Sequence, residues 1–224
     1  MNQIVSKASV YAFYTDAIRN GRNTAENLQA ATSERFNAFL ESIGDETPRT
    51  ALELGYGAGT YVIALARVGF HVLAVDQVPS KLLLRRIGGA EEWAGRIEPR
   101  ECLAEEFTID EDFGVLVAKD VLHYLARRDV ESLLTGAVAN ARGGNRHYLE
   151  VFTGITRTST DGRLLRIEGE ADYSPDHFRR AIERIYKGWD LTLLWSEHVE
   201  RDIRTGRNCF EATRATVIAA NQAA

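Results

Sequence analysis

Leu52-Glu53-Leu54-Gly55-Tyr56-Gly57-Ala58-Gly59-Thr60, with Asp76 seventeen residues beyond Gly59, is the stretch on which the fold turns. An apolar strand enters a glycine-rich turn, and the turn opens a helix predicted over about Tyr61 to Val68. A second apolar strand, Phe70 to Val75, then ends on a carboxylate. Each part suits a nucleotide-type ligand. Glycine lets backbone approach a ligand closely, a helix N-terminus offers unpaired N–H groups, and a carboxylate can accept from both hydroxyls of a ribose.

Upstream, residues 1–23 hold Tyr11, Phe13 and Tyr14 and end in the polar turn Asn20-Gly21-Arg22-Asn23. Thr24 is placed to cap a helix to about Ile43, with Leu28, Phe36, Phe39, Leu40 and Ile43 at helical spacing and Gly44 as its stop. Downstream, Thr50 to Leu54 begins an alternation of strands and helices. Pro79 marks a helix start, Gly88-Gly89 a break, and a short strand follows near Ile97 to Cys102. Phe113 to Ala118 is a near-continuous apolar run, as in a strand buried on both faces. Asp129 is read as the cap of a helix to about Ala141, and His147 to Phe152 as the fifth strand. This alternation implies a parallel sheet with right-handed crossovers.

The pattern changes after Phe152. Residues 153–173 are polar, with Asp161-Gly162 read as a hairpin turn. Ser174-Pro175 starts a helix that Gly188 stops. Leu191 to Val199 and Phe210 to Ala219 read as strands joined by only Glu200 to Cys209, too short for a parallel crossover, so the pair must be antiparallel.

Composition bounds the rest. The chain has 224 residues, 45% hydrophobic and 26% charged, which suits one globular domain with a full core. A net charge of −5 leaves no basic footprint for nucleic acid. No apolar run approaches the ~18 residues a membrane-spanning helix needs. Two cysteines, Cys102 and Cys209, support neither a disulfide framework nor a zinc site, and the first ten residues lack a secretory or transit pattern. A cytoplasmic location is expected. Acidic residues and histidines are nowhere grouped at metal-ligand spacing, so a magnesium-dependent mechanism is disfavoured.

Glu53-Leu-Gly55-Tyr-Gly57-Ala-Gly59, Asp76 and the closing antiparallel pair resemble class I S-adenosylmethionine-dependent methyltransferases over about residues 50–220. Dinucleotide dehydrogenases carry G-x-G-x-x-G instead. Residues 64–76 look most like small enzymes of the tellurite-resistance and thiopurine type. The resemblance implies an α/β fold: a three-layer αβα sandwich with a seven-stranded, mostly parallel sheet and a C-terminal antiparallel hairpin. It also implies an organisation of residues 1–44 as a helical lid, 50–152 as cofactor-binding core, 153–173 as a substrate-side insertion and 174–224 as the closing helix and strands. The implied methyl donor is S-adenosylmethionine, leaving as S-adenosylhomocysteine.

Carried over position by position, Glu53, Gly55, Tyr56 and Gly57 would surround the methionine portion, with Gly59 completing the turn. Asp76 would meet the ribose, and Gln77, Ala104 and Glu105 the adenine, where Leu103 replaces the family's frequent Asp. Lys119 and Asp120 would lie near the sulfonium. His123 and Tyr124 follow at the mouth, His123 suiting a general base if its imidazole titrates near neutrality. Tyr11 and Tyr14 could line the acceptor pocket or anchor the N-terminal segment. The expected reaction is methyl transfer to an oxygen, nitrogen or sulfur of a small molecule, in secondary metabolism, by a monomer or homodimer. A protein or peptide acceptor, and a cyclase or regulatory protein on the same fold, are the alternatives.

Overall fold

The computed structural model describes residues 3–20, 31–88, 91–202 and 204–222. In chain order the elements are β1 (Gln3–Val5), α1 (Lys7–Arg19), α2 (Glu34–Glu41), β2 (Thr50–Leu54), α3 (Thr60–Arg67), β3 (His71–Asp76) and α4 (Ser80–Ile87). There follow β4 (Ile97–Glu101), β5 (Val115–Lys119), α5 (Arg127–Asn140), β6 (Arg146–Thr158), β7 (Leu164–Ile167), α6 (Pro175–Ile185), β8 (Asp190–Arg201) and β9 (Asn208–Ala220). Short 3-10 turns cover Glu92–Arg96 and Leu122–Tyr124.

The sheet runs β4-β3-β2-β5-β6-β9-β8. The pairs among β2 to β6 are parallel, and β9 is antiparallel to both β6 and β8. Strand alternation divides the core between two faces. Ala51, Val115 and Val117 pack with Phe36, Leu65 and Leu83 of α2, α3 and α4. Leu52, Leu54, Leu116 and Ala118 pack with Leu134, Phe178 and Ile182 of α5 and α6. These are the three layers expected.

The strand count differs from seven, because β1 and β7 bring it to nine. β6 does not end at Phe152 but continues to Thr158, past an irregularity between Thr153 and Thr156. Arg157 pairs with Phe210 of β9 on one edge and Leu165 of β7 on the other. β7 therefore occupies the edge that β5 holds further back, beyond the carboxyl end of the parallel strands, and β1 adds in parallel to β7. This small ribbon and α1 wall the space above the glycine turn. A three-residue strand such as Gln3-Ile4-Val5 has no period to read, and the polar stretch after Phe152 masks a strand whose pairing is decided at long range.

Helix ends follow local chemistry with some shifts. Ser6, Ser33 and Ser174 accept N–H bonds from Ser9, Phe36 and His177 at 3.2–3.3 Å, and Pro175 fills the first turn of α6. The proposed cap at Thr24 and the contact at Leu28 lie outside the described residues; the helix seen there begins at Glu34. α5 starts after Ala126, leaving Asp129 inside its first turn rather than at its cap.

Candidate active site

A cavity of about 580 Å³ opens at the carboxyl ends of β2, β3 and β5, the place where open α/β sheets bind ligands. Its first half is built by the opening stretch. Gly55, Gly57 and Gly59 all have positive φ, at 73°, 50° and 79°. A Cβ on Gly55 would sit 2.7 Å from the Val121 side chain, whereas one on Gly57 would meet nothing within 4 Å. The turn thus presents bare backbone to open space at Gly57. Asp76 braces it: Oδ2 accepts from Gly57 N–H at 2.7 Å and Oδ1 from Val78 N–H at 3.0 Å. Burial raises the Asp76 carboxyl above its ordinary value, and those N–H bonds oppose the rise. Tyr56 donates its hydroxyl to the Val78 carbonyl at 2.5 Å, tying the turn to the following loop.

Glu53 is 2% exposed and its Oε2 has no hydrogen-bond partner. Burial and then the neighbouring Asp76 raise its carboxyl well above the usual range, while Lys119 opposes. A buried carboxyl with an unmatched oxygen on a cavity wall is poised for a cationic or donor group of a ligand.

Beyond this half, Lys119 Nζ pairs with Asp120 Oδ2 at 2.7 Å and lies 5.7 Å from the Tyr61 ring centre. Burial would lower the ammonium, but Asp120, Tyr61 and Glu150 together outweigh it and the net shift is upward. Asp120 has a positive φ of 54°, an uncommon conformation outside glycine, at the end of β5. Burial would raise its carboxyl, yet Lys119 and Arg214, the latter at 3.5 Å, hold it below the usual range. Asp120 Oδ1 is buried without a partner, as are both ring nitrogens of His123.

The His123 expectation needs correcting in one respect. Its imidazole does not titrate near neutrality; burial pushes it down to about 3. The Asp120 carboxylate pulls the other way, and Arg157, Arg214 and Lys119 add to the downward push. His123 is therefore neutral at physiological pH, with one N–H and one lone pair.

Most residues chosen from sequence meet in this cavity. Tyr11, Tyr14, Glu53, Gly55, Tyr56, Gly57, Asp76, Gln77, Ala104, Lys119, Asp120, His123 and Tyr124 all line it. Gly59 does not: it is the left-handed N-cap of α3, and a side chain there would strike Leu83 Cδ1 at 2.2 Å. Glu105 does not either, because its carboxylate turns to α1, meeting Lys7 Nζ at 3.2 Å and the Tyr11 hydroxyl at 3.4 Å. The Tyr14 and Tyr124 hydroxyls hydrogen-bond to each other. These contacts hold α1 across the cavity, joining the loop after β4 on one side and the His123 turn on the other.

Several lining residues were not singled out in the sequence. Phe152, Arg157, Leu165, Ile167 and Phe210 complete the far wall. They come from β6, β7 and β9, where a strand's side chains look ordinary until the ribbon folds back over the sheet. Trp189 and Trp195 pack against the core. Among the described residues, no group of three or more metal-binding side chains is present and no helix is long and apolar enough to cross a membrane.

No protein-family model matches the chain, and no curated protein matches it. Solved structures do. DhpI in its SAH complex superposes with a TM-score of 0.56 at 18% identity, covering 96% of this chain and 97% of that one. The CcbJ methyltransferase from Streptomyces caelestis gives 0.60 at 15% identity, covering 94% and 98%. TehB from Haemophilus influenzae gives 0.55 at 18% identity over 83% and 62%. The fold is the class I methyltransferase fold. In that frame β9, last in the chain, inserts antiparallel between β6 and β8, and the cavity lies above the parallel centre of the sheet.

Proposed function

We propose that this chain is an S-adenosylmethionine-dependent methyltransferase acting on an oxygen, nitrogen or sulfur of a small molecule. The observation that carries the reading is Glu53, a buried carboxyl with an unpartnered oxygen, set beneath a glycine turn whose Gly57 faces open space in the cavity. The residues present fit the group. Glu53 would take the ammonium of its amino-acid portion, and Gly55 to Gly57 would pass along it. Asp76 keeps acceptor capacity for ribose hydroxyls beyond its two N–H bonds, and Gln77, Val78 and Ala104 would flank the base. When bound, the group supplies a methyl already activated on a sulfonium, so the protein's task is positioning.

His123 and Asp120 are the residues we assign beside the acceptor atom. A neutral imidazole that titrates near 3 is a poor store for a proton at neutral pH, but its lone pair and Asp120 Oδ1 can orient a hydroxyl or amine. The roof formed by α1, β1 and β7 favours a small acceptor over a folded protein, and we assign α1 as a cover over the ligand. Solved neighbours of the same fold include a glycopeptide N-methyltransferase, MtfA, complexed with S-adenosylmethionine, so a peptide-linked acceptor belongs in the test.

Calorimetric titration with S-adenosylmethionine and S-adenosylhomocysteine is the first experiment, followed by incubation with labelled methyl donor and a panel of small acceptors and short peptides. Absence of binding by both would reject the reading. Binding without transfer to any class of acceptor would favour a cofactor-binding protein on the same fold.

A further inference from the structure

The far half of the cavity holds hydrogen-bond donors that methyl transfer alone does not call for. Arg157 lies on the extension of β6 with its side chain only 12% exposed. One side of its guanidinium, Nη1, is tied to the Glu170 carboxylate, and the group stacks 5.5 Å over the Phe210 ring. Glu170 is held in turn, its Oε1 accepting from Ile167 N–H at 3.2 Å. The other side, Nη2, is buried and has no partner. His123 contributes a second unmatched N–H on the same wall. Ring contacts connect the two: His123 to Phe152 at 5.2 Å, and Phe152 to Phe210 at 5.0 Å.

The His123 ring feels one carboxylate, Asp120, and three cations, Arg157, Arg214 and Lys119. Asp120, Glu150 and Glu170 pair with those cations and Glu200 also lines the cavity, so what draws a negative guest is the pair of unmatched donors. Two donors that are separate in the structure are better matched by two oxygens than by one carbonyl. Bonds to a charged acceptor are also shorter and roughly twice as strong as neutral ones.

We propose that the molecule bound here carries an oxyanion, a carboxylate or phosphate-type group, accepting from Arg157 Nη2 and from the N–H of His123. Its apolar body would lie among Tyr14, Tyr124, Phe152 and Phe210. That this molecule is the methyl acceptor rests on the methyltransferase reading; the anion site itself does not.

The test titrates the full chain, with and without saturating S-adenosylhomocysteine, against benzoate, phenyl phosphate and the neutral isostere benzamide. One or both anions should bind, and benzamide at least tenfold more weakly; the tighter anion identifies the source. Arg157→Gln should weaken the anion at least tenfold while S-adenosylhomocysteine affinity stays within twofold. Glu170→Gln, which leaves the guanidinium uncompensated, should tighten the anion at least threefold, and it decides the matter if Arg157→Gln fails to fold. Benzamide binding as well as the anions, neither anion binding, or no change in either variant would overturn the proposal. Anion binding without any S-adenosylhomocysteine binding would support this site and reject the methyl-transfer reading.

Discussion

Replacing Glu53 by Gln should make the protein more stable at alkaline pH and a poorer binder of its ligand. Burial and Asp76 raise the Glu53 carboxyl well above its ordinary value of 4.5. The folded chain therefore holds a proton that the unfolded chain releases above pH 4.5. Stability from this group is complete below that pH and is lost as pH rises toward the folded value. While the folded carboxyl stays protonated, each pH unit above 4.5 removes up to about 1.4 kcal/mol. For a chain of this size that corresponds to about 3–6 °C in Tm per pH unit. Gln has no proton to release, so the Tm of Glu53→Gln should climb relative to the parent as pH rises above 4.5, read by scanning fluorimetry at several pH values. Removing the carboxyl that the ligand's ammonium would ionise and pair with should weaken S-adenosylhomocysteine by about 1.5–3 kcal/mol, measured by calorimetry at pH 7.5. A Tm gap that does not move with pH would refute the raised titration. Unchanged affinity would remove Glu53 from the ligand site.

Three further substitutions probe the remaining parts. Asp76→Ala should weaken S-adenosylhomocysteine by about 1–3 kcal/mol and also lower Tm, because the Gly57 and Val78 N–H groups lose their acceptor; a lower Tm with normal affinity would leave Asp76 as a turn brace only. Gly57→Val should abolish ligand binding by filling the open space beside the turn, at a strained φ of 50°; circular dichroism should show the fold retained, and preserved binding would place the ligand elsewhere. His123→Ala should slow turnover about tenfold, the worth of one positioning hydrogen bond, without moving the pH profile between 6 and 9. Loss of a kinetic limb near 6.5 in that variant would show an imidazole titrating near its ordinary value instead.

The cofactor half of the cavity was legible because its constraints are local. A buried strand entering glycines, a helix start immediately after, and a carboxylate closing the next strand specify one another within about 25 residues, from Leu52 to Asp76. Register then carries them together: β2 and β3 pair in parallel with Glu53 beside Ala74 and Leu54 beside Val75, so Asp76 necessarily arrives at the turn. Gly59 shows the limit of pattern. It belongs to the same motif, but its left-handed backbone and contact with Leu83 give it a structural duty away from the cavity.

By itself, the sequence determined the alternation of strands and helices, the antiparallel close and the identity of the turn, since periodicity, glycine conformation and connection length act over short spans. Only tertiary structure decided the far wall. Arg157 acquires significance because β6 overruns β5 and pairs with β7, which brings its guanidinium beside His123 and Phe210, residues 34 and 53 positions away in the chain. Burial, likewise, is set by packing from several elements, and it is burial that turns His123 from a near-neutral base into a neutral ring titrating near 3.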